Sequence, residues 1–229
     1  MKTIGMLGGM SWESTVPYYR IVNEVVRERL GGLHSAKVLL HSVDFEEIEA
    51  CQAQGRWDDS AQILARAAQG LEAAGADFLV ICTNTMHKVA EQIEAGLHIP
   101  LLHIADATVQ ALREQGIARV ALLGTQYTME QDFYKQRIAA AGIEVLVPPA
   151  QERAIVHRVI YEELCRGEVR QASRRAYLRI IDGLAARGAQ GVILGCTEIG
   201  GLIGQQDTAL PVFDTTRIHA QQAALYALA

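Results

Sequence analysis

Short apolar runs alternate along the chain with longer stretches in which apolar residues recur every three or four positions. The longer stretches are typical of amphipathic helices, as the spacing of Ile63, Leu64, Ala67 and Leu71 illustrates. Parallel strands that helices cover on both faces are almost entirely apolar, and the short runs have this composition. The pattern therefore predicts an α/β fold built from βαβ units. The predicted strands span residues 3–9, 37–43, 78–83, 100–104, 119–125, 143–148, 191–196 and 211–215.

The two halves of the chain repeat one pattern. The segment LEAAGADFLVICT at 71–83 aligns without a gap with LAARGAQGVILGC at 184–196, which pairs Thr83 with Cys196. This similarity has an alternative explanation, because helix–glycine–strand junctions resemble one another in any α/β protein. We interpret the repeat as a duplication that gives two similar α/β domains with parallel sheets. The predicted first domain comprises residues 1–104 plus 216–229, and the second comprises residues 105–215.

The composition narrows the range of functions. A formal net charge of -5 over 229 residues, with no block of Lys or Arg, argues against nucleic acid or an anionic membrane as the partner. No stretch approaches the roughly 20 apolar residues that a membrane-spanning helix needs. The first residues, MKTIGMLGGM, fit a strand and a turn better than a signal peptide. The cysteines are scattered and form no CxxC pair, which predicts free thiols in a reducing cytoplasm rather than a metal site or disulfides.

Turns at the carboxyl ends of the predicted strands carry the residues suited to chemistry, because ligands of open parallel sheets bind there. Two such turns are GGMSWEST at 8–15 and GTQYTMEQDFY at 124–134. Their hydroxyl groups are placed to cap the next helix, either as ordinary capping or beside N–H groups that hold a carboxylate or phosphate. The candidate caps are Ser11, Ser14, Thr125 and Thr128.

Two further turns, CTNTMH at 82–87 and GCTEIG at 195–200, are more distinctive. Cys196 is expected at the start of a helix, where exposed N–H groups favour a thiolate; the alternative is a small buried apolar residue. Side chains alternate along a strand, so Cys82 is predicted to pack inside if Thr83 faces a ligand. His87 is interpreted as a packed or capping histidine, with substrate contact as the alternative.

The motifs MLGGMSWEST, TNTMH and GCTEI together resemble the aspartate/glutamate racemase superfamily over nearly the whole chain. The chain is most similar to its aspartate racemase branch, which includes broad-specificity racemases and a group specific for L-aspartate and L-glutamate. The resemblance implies two similar α/β domains facing each other across a cleft that holds the active site. It also implies a homodimer that uses no cofactor and no metal. In this family one cysteine removes the α-proton, and a second returns a proton to the opposite face.

The two catalytic positions of that family fall on Thr83 and Cys196. Gln52 falls where this branch binds the far carboxylate of the substrate, often with an arginine, and Cys165 falls where many relatives have a lysine. A threonine hydroxyl is a far weaker acid than a thiol of ordinary pKa, about 8.5. Thr83 is therefore expected to donate a proton, or to hold a water that does so. The other positions that match residues near the substrate are Met10, Asn84, Thr85, Thr197 and Glu198.

These expectations predict a cofactor-independent isomerase that racemises L-aspartate and L-glutamate, with Cys196 as base and Thr83 as acid on the opposite face. Two alternatives remain. The first is a single-cysteine decarboxylase or maleate-isomerase-like enzyme of the same superfamily, whose lone thiol protonates an enolate or attacks a double bond. The second is a noncatalytic module that binds a small acid.

Overall fold

The computed structural model describes residues 1–229 and contains a strand at each predicted position. The strands are β1 (Ile4–Gly8), β2 (Val38–Ser42), β3 (Phe78–Ile81), β4 (Leu101–Leu102), β5 (Arg119–Gly124), β6 (Glu144–Leu146), β7 (Val192–Gly195) and β8 (Val212–Asp214). The helices are α1 (Trp12–Leu30), α2 (Phe45–Ala53), α3 (Trp57–Ala73), α4 (Ala90–Glu94), α5 (Ile104–Glu114), α6 (Gln126–Glu130), α7 (Asp132–Ala139), α8 (Ala150–Glu162), α9 (Gln171–Ala186) and α10 (Thr215–Leu228). None of these helices is long and apolar enough to cross a membrane.

The strands form two parallel sheets of four strands each, and both sheets have the same topology. The order is β2-β1-β3-β4 in one sheet and β6-β5-β7-β8 in the other. The central register places Leu7 beside Ile81 in the first sheet and Gly124 beside Gly195 in the second. This arrangement confirms the predicted α/β fold with two similar parallel-sheet domains.

The chain groups into two compact units. The first comprises Met1–Ile104 and His219–Ala229, and the second comprises Ala105–Ile218. Most of α10 therefore belongs to the first unit, where its small side chains pack on the same apolar cluster as β1 and β3. The alanines of α10 in this cluster are Ala220, Ala223, Ala224 and Ala227.

The duplicated sequence segments have the same backbone geometry. Gly75 after α3 and Gly188 after α9 have φ angles of 99° and 94°, a region that favours glycine. The next residue in each half, Ala76 or Ala189, donates its N–H over 3.1 Å to the carbonyl oxygen of a leucine in the last helical turn. This is the hydrogen-bonding pattern with which a glycine ends a helix and turns the chain into the following strand.

The side chains of β3 alternate between two apolar clusters. Leu79 and Ile81 pack in the cluster that contains α3, whereas Val80 and Cys82 pack in the cluster that contains α1 and α10. All four residues of β3 are buried, and so are the four residues of β7. Burying each large aliphatic side chain stabilises the fold by about 1.5–3 kcal/mol, so the central strands fix the position of the turns that follow them.

The prediction that helices cover both faces of every strand is wrong for β2. This strand lies at the edge of the first sheet, and its last three residues are exposed. Leu40 retains 47% of its accessible surface. An edge strand has a neighbouring strand on one side only, and its hydrophobic sequence alone did not reveal that position.

Candidate active site

The turn after β3 begins with a cysteine that is committed to the core. Cys82 is fully buried beside Val80 in the apolar cluster behind the sheet. Burial raises the pKa of the Cys82 thiol far above its ordinary value, because a thiolate would lose its hydration there. The thiol of Cys82 therefore stays protonated, and the prediction that it packs inside is confirmed.

Thr83 follows Cys82 and is held in place through its backbone. The Nδ1 atom of His87 lies 2.7 Å from the carbonyl oxygen of Thr83, and the backbone N–H of Ile104 lies 3.2 Å from Nε2 of the same ring. Because Nε2 accepts a hydrogen bond, Nδ1 carries the proton and the ring is neutral. His87 is 4% exposed, which confirms the interpretation of a packed histidine.

A second histidine lies behind this turn. His219 of α10 is fully buried, with its ring centroid 5.9 Å from that of His87. Its Nε2 donates to the carbonyl oxygen of Leu102 over 2.8 Å, and the Tyr18 hydroxyl donates to Nδ1 over 2.8 Å. Burial lowers the pKa of His219 to about 4, so the ring is neutral at ordinary pH.

The remaining predicted residues of the first half lie on neighbouring elements and are all nearly buried. Met10 and Met86 belong to one apolar cluster, and the amide Nε2 of Gln52 lies 3.0 Å from the sulfur of Met86. Gln52 on α2 is therefore in contact with the turn after β3, and Met10, which follows β1, packs in the same cluster as Met86. The exposed fractions are 3% for Met10, 4% for Gln52, 1% for Asn84 and 5% for Thr85.

The turn after β1 lies beside the turn after β3. Ser14 donates its hydroxyl to the carbonyl oxygen of Ser11 over 2.9 Å and lies 3.5 Å from the carbonyl oxygen of Cys82. Thr15 accepts the N–H of Gly9 over 2.9 Å and donates to the carbonyl oxygen of Ser11. The prediction of a serine cap is wrong here, because the side chain of Ser11 makes no capping hydrogen bond and Ser14 donates to a carbonyl oxygen. The hydroxyl that accepts an N–H of this turn belongs to Thr15, one turn into α1.

The corresponding turn of the second half has the predicted cap. Thr125 precedes α6, and its hydroxyl accepts the N–H of Thr128 over 3.3 Å. The turn approaches β7 closely, since a Cβ on Gly124 would lie 2.8 Å from the carbonyl oxygen of Gly195. Glycine at both positions lets the ends of these two strands approach each other.

The turn after β7 gathers several donors around one carboxylate. Cys196 donates its Sγ–H to Oε2 of Glu198 over 2.8 Å, and Thr197 donates its hydroxyl to the same oxygen over 2.8 Å. The Sγ of Cys165, in the short 3-10 turn Leu164–Arg166, lies 3.7 Å from Oε1. All three predicted residues of the second half, Cys196, Thr197 and Glu198, are therefore in contact.

The expectation that Cys196 rests as a thiolate is wrong. Burial raises the pKa of this thiol well above its ordinary value, and the neighbouring Glu198 and Cys165 raise it further. No α-helix begins at this point, because the chain continues into the single 3-10 turn Ile199–Gly201. The sequence predicted a helix N-terminus at Cys196, which would lower the pKa of the thiol. In the structure the thiol contacts the Glu198 carboxylate instead, which raises this pKa, so the thiol is protonated at rest.

Thr83 and Cys196 occupy equivalent places in the two units. Cys196 shares an apolar cluster with Val192 and Leu194, the β7 residues that the sequence repeat pairs with Leu79 and Ile81 of β3. Both side chains are 8% exposed. Cys196 therefore follows β7 at the position that the sequence repeat gives to Thr83 after β3.

Two contacts of the site had no signal in the sequence. His219 lies in a helix without a recognisable motif, and its contact with Tyr18 spans most of the chain. Cys165 and Glu198 are 33 positions apart and meet only in the fold. No group of three or more His, Cys, Asp or Glu side chains in residues 1–229 could hold a metal ion.

The comparisons with known proteins agree with this fold. The family model for Asp/Glu/hydantoin racemase matches residues 7–223. The broad specificity amino-acid racemase RacX of Bacillus subtilis is 21% identical over 226 residues, covering 93% of this chain and 92% of the relative.

Two crystal structures are similar over 100% of both chains. A candidate Asp/Glu racemase from Yersinia pestis has a TM-score of 0.93 and 57% identity. An aspartate racemase homologue from Pyrococcus horikoshii has a TM-score of 0.86 and 34% identity. On these similarities of sequence and structure, the chain belongs to the Asp/Glu/hydantoin racemase family.

Proposed function

We propose that this protein is a cofactor-independent racemase of acidic amino acids, with L-aspartate and L-glutamate as substrates. Membership of a racemase family supports the reaction class. The observation that carries the finer assignment is the equivalence of Thr83 and Cys196, which end matching strands in two similar units with equal exposure. Racemisation needs proton-transfer groups on opposite faces of a planar carbanion, and a duplicated pair of turns supplies them.

In the proposed reaction the turn at 83–85 and the turn at 196–198 each supply one proton-transfer group. Cys196 removes the α-proton of the L-amino acid and leaves the electron pair on the α-carbon. Thr83, or a water that its hydroxyl holds, gives a proton to the opposite face and forms the D-amino acid. The hydrogen bond from His87 to the Thr83 carbonyl keeps this residue in a fixed position during the transfer.

The acidic side chain of the substrate is proposed to bind Gln52. This residue is 4% exposed and is held against the sulfur of Met86, so its amide has little freedom. An amide N–H can donate a hydrogen bond to a carboxylate without bringing a charge into an apolar pocket. Recognition by a neutral donor explains how the site can lack the arginine found in relatives of this branch.

A second candidate function rests on the same replacement. Thr83 leaves a single thiol at the two catalytic positions, and a single thiol suffices for a decarboxylase that protonates an enolate. Chiral chromatography after incubation with L-aspartate separates the two functions. The racemase forms D-aspartate and releases no carbon dioxide, whereas the decarboxylase releases carbon dioxide.

The main test is a panel of L- and D-amino acids in deuterium oxide, with exchange of the α-proton followed by NMR. We expect exchange with aspartate and glutamate, and its loss in Cys196→Ala. The matched control is Cys51→Ala, which removes another buried thiol and should exchange at the wild-type rate. If Cys196→Ala exchanges as fast as Cys51→Ala, Cys196 is not the base. If L- and D-aspartate take up deuterium equally fast in single-turnover experiments, the assignment of one thiol as base is wrong.

A further inference from the structure

The carboxylate of Glu198 contacts three side chains that carry a thiol or a hydroxyl. Its Oε2 accepts hydrogen bonds from the Cys196 thiol and the Thr197 hydroxyl, each over 2.8 Å. Its Oε1 lies 3.7 Å from the Cys165 thiol. Two donors on one oxygen fix the direction of the carboxylate, and that oxygen is within hydrogen-bonding distance of the Cys196 thiol.

The other ionisable groups around Cys196 have acceptors or donors of their own. Tyr177 of α9 donates its hydroxyl to the carbonyl oxygen of Val156 over 2.9 Å. Glu163 accepts the Ser173 hydroxyl over 2.7 Å and lies 3.7 Å from a guanidinium nitrogen of Arg170. Among these carboxylates, Glu198 is the one in direct contact with the thiol.

We propose that Glu198 accepts the thiol proton of Cys196 as Cys196 takes the α-proton of the substrate. This inference rests on the proposed racemase function and adds a proton acceptor to it. The S–H bond of Cys196 breaks as an O–H bond forms on Glu198. The Cα–H bond then breaks, a new S–H bond forms, and the electron pair stays on the α-carbon. One negative charge moves from the carboxylate to the carbanion, so the net charge is unchanged.

The electrostatics of the site require such an acceptor. A thiolate beside an ionised carboxylate places two negative charges in contact in a partly buried environment, which is unfavourable. The thiol is therefore protonated at rest, and it cannot act as a base until its own proton has left. Transfer to Glu198 avoids the double charge, because the carboxylate becomes neutral at the same moment. Glu198 acts through Cys196 and is a positioning residue for the thiol proton.

The consequence is an unusual signature for Glu198→Gln. The neutral amide removes the charge that holds the proton on Cys196, so the thiol should become more reactive towards iodoacetamide. Racemisation should nevertheless slow down, because the proton acceptor is gone. A residue that only shapes the pocket would not change these two properties in opposite directions.

The experiment measures alkylation of Cys196 by iodoacetamide as a function of pH, with the modified peptide quantified by mass spectrometry. In Glu198→Gln we expect the midpoint to fall by about one pH unit, so that alkylation at pH 7.5 is about ten-fold faster. Exchange of the aspartate α-proton should fall by about 100-fold. Glu198→Asp keeps the charge, so the alkylation midpoint and the exchange rate should both lie closer to the wild-type values than those of Glu198→Gln.

The matched control is Glu163→Gln, which neutralises a nearby buried carboxylate that does not contact the thiol. Its alkylation midpoint should stay within about 0.3 pH units of wild type, since the direct contact is intact. The proposal is overturned if Glu198→Gln leaves the midpoint where it is, or if exchange becomes faster together with alkylation. If the wild-type protein exchanges no amino acid at all, the racemase function and the relay both fail. In that case a shifted midpoint would still establish the proton contact between Glu198 and Cys196.

Discussion

His87 donates its Nδ1 proton to the carbonyl oxygen of Thr83 over 2.7 Å, and this contact fixes the residue proposed to protonate the carbanion. The other nitrogen of the ring accepts the backbone N–H of Ile104. One neutral imidazole thus satisfies two buried backbone groups that lie 21 positions apart in the chain. A side chain four positions after Thr83 thereby sets the geometry of the turn.

Replacing His87 by Ala should destabilise the protein and slow catalysis. The carbonyl oxygen of Thr83 and the N–H of Ile104 would both lose a partner in a buried place, at a cost of about 1–3 kcal/mol each. We expect the free energy of unfolding in urea to fall by about 2–4 kcal/mol. His34→Ala, at an exposed histidine, should change it by no more than about 0.5 kcal/mol. Equal losses in the two variants would show that the contacts of His87 contribute nothing.

Stability should fall as the pH is lowered below the ordinary pKa of histidine, in part because of His219. Its pKa in the fold is about 4, below the ordinary 6.5, so the unfolded chain takes up the proton first as the pH falls. The stability that this residue contributes above pH 6.5 is therefore lost progressively between pH 6.5 and pH 4. The loss between pH 7.5 and pH 5 is about 2 kcal/mol.

The measurement compares urea unfolding of the wild type and His219→Gln at these two pH values. Glutamine does not titrate but can still accept from the Tyr18 hydroxyl and donate to the Leu102 carbonyl. Other titrating groups are present in both proteins and cancel in the comparison. The wild type should lose about 2 kcal/mol more than the variant. The same loss in both proteins would contradict the assigned pKa of His219.

Gly9 should be intolerant of any side chain. Its φ angle is 92°, and a Cβ there would collide with the carbonyl oxygen of Val43 and lie 2.6 Å from its nitrogen. The backbone conformation alone costs an L-residue about 1–2 kcal/mol, and the collision adds to this. Gly9→Ala should therefore lower the melting temperature, whereas Gly70→Ala, on the open face of α3, should raise it slightly. If Gly9→Ala leaves the melting temperature unchanged, the turn after β1 can move away from Val43.

Gln52→Leu should separate acidic from neutral substrates. If the amide donates a hydrogen bond to the far carboxylate, its loss lowers kcat/KM for aspartate by about 10–100-fold. The same change should leave kcat/KM for alanine or serine nearly unaffected, because these amino acids have no side-chain carboxylate. Gln54→Leu, at an exposed neighbouring position, is the control. If kcat/KM falls equally for acidic and neutral amino acids, Gln52 supports the structure of the pocket and does not bind the far carboxylate.

The homodimer is proposed to form through the exposed side of α1. Trp12, Val16 and Tyr19 are 61%, 47% and 55% exposed, and their spacing places them on one stripe of the helix. Arg20 and Glu24 flank this stripe with opposite charges. Two copies related by a two-fold axis can therefore pair the arginine of one copy with the glutamate of the other.

Val16→Glu should dissociate this dimer, because the new carboxylate would be buried against the second copy. Sedimentation should give about twice the chain mass of 25.0 kDa for the wild type and the chain mass for the variant. Val169→Glu replaces a valine that is 52% exposed in the second unit and should remain dimeric. A wild-type protein of 25.0 kDa, or dissociation in both variants, would place the interface elsewhere.

The sequence by itself determined the architecture. Strands of a parallel sheet are largely apolar, so their runs were visible at all eight positions, including the exposed edge strand β2. The pairing of Thr83 with Cys196 was equally visible, because the same helix–glycine–strand junction precedes both residues. The inward orientation of Cys82 followed from the alternation of side chains along β3.

Only the tertiary structure decided the protonation state of Cys196 and the position of β2 at the edge of its sheet. A pKa depends on burial and on charges within a few ångströms, and the neighbour Cys165 comes from a separate segment, 33 positions from Glu198. The hydrogen bonds of His87 and the burial of His219 likewise depend on contacts that form only in the folded chain. Periodicity records which face of an element is apolar, but it carries no information about which distant side chain faces a given atom.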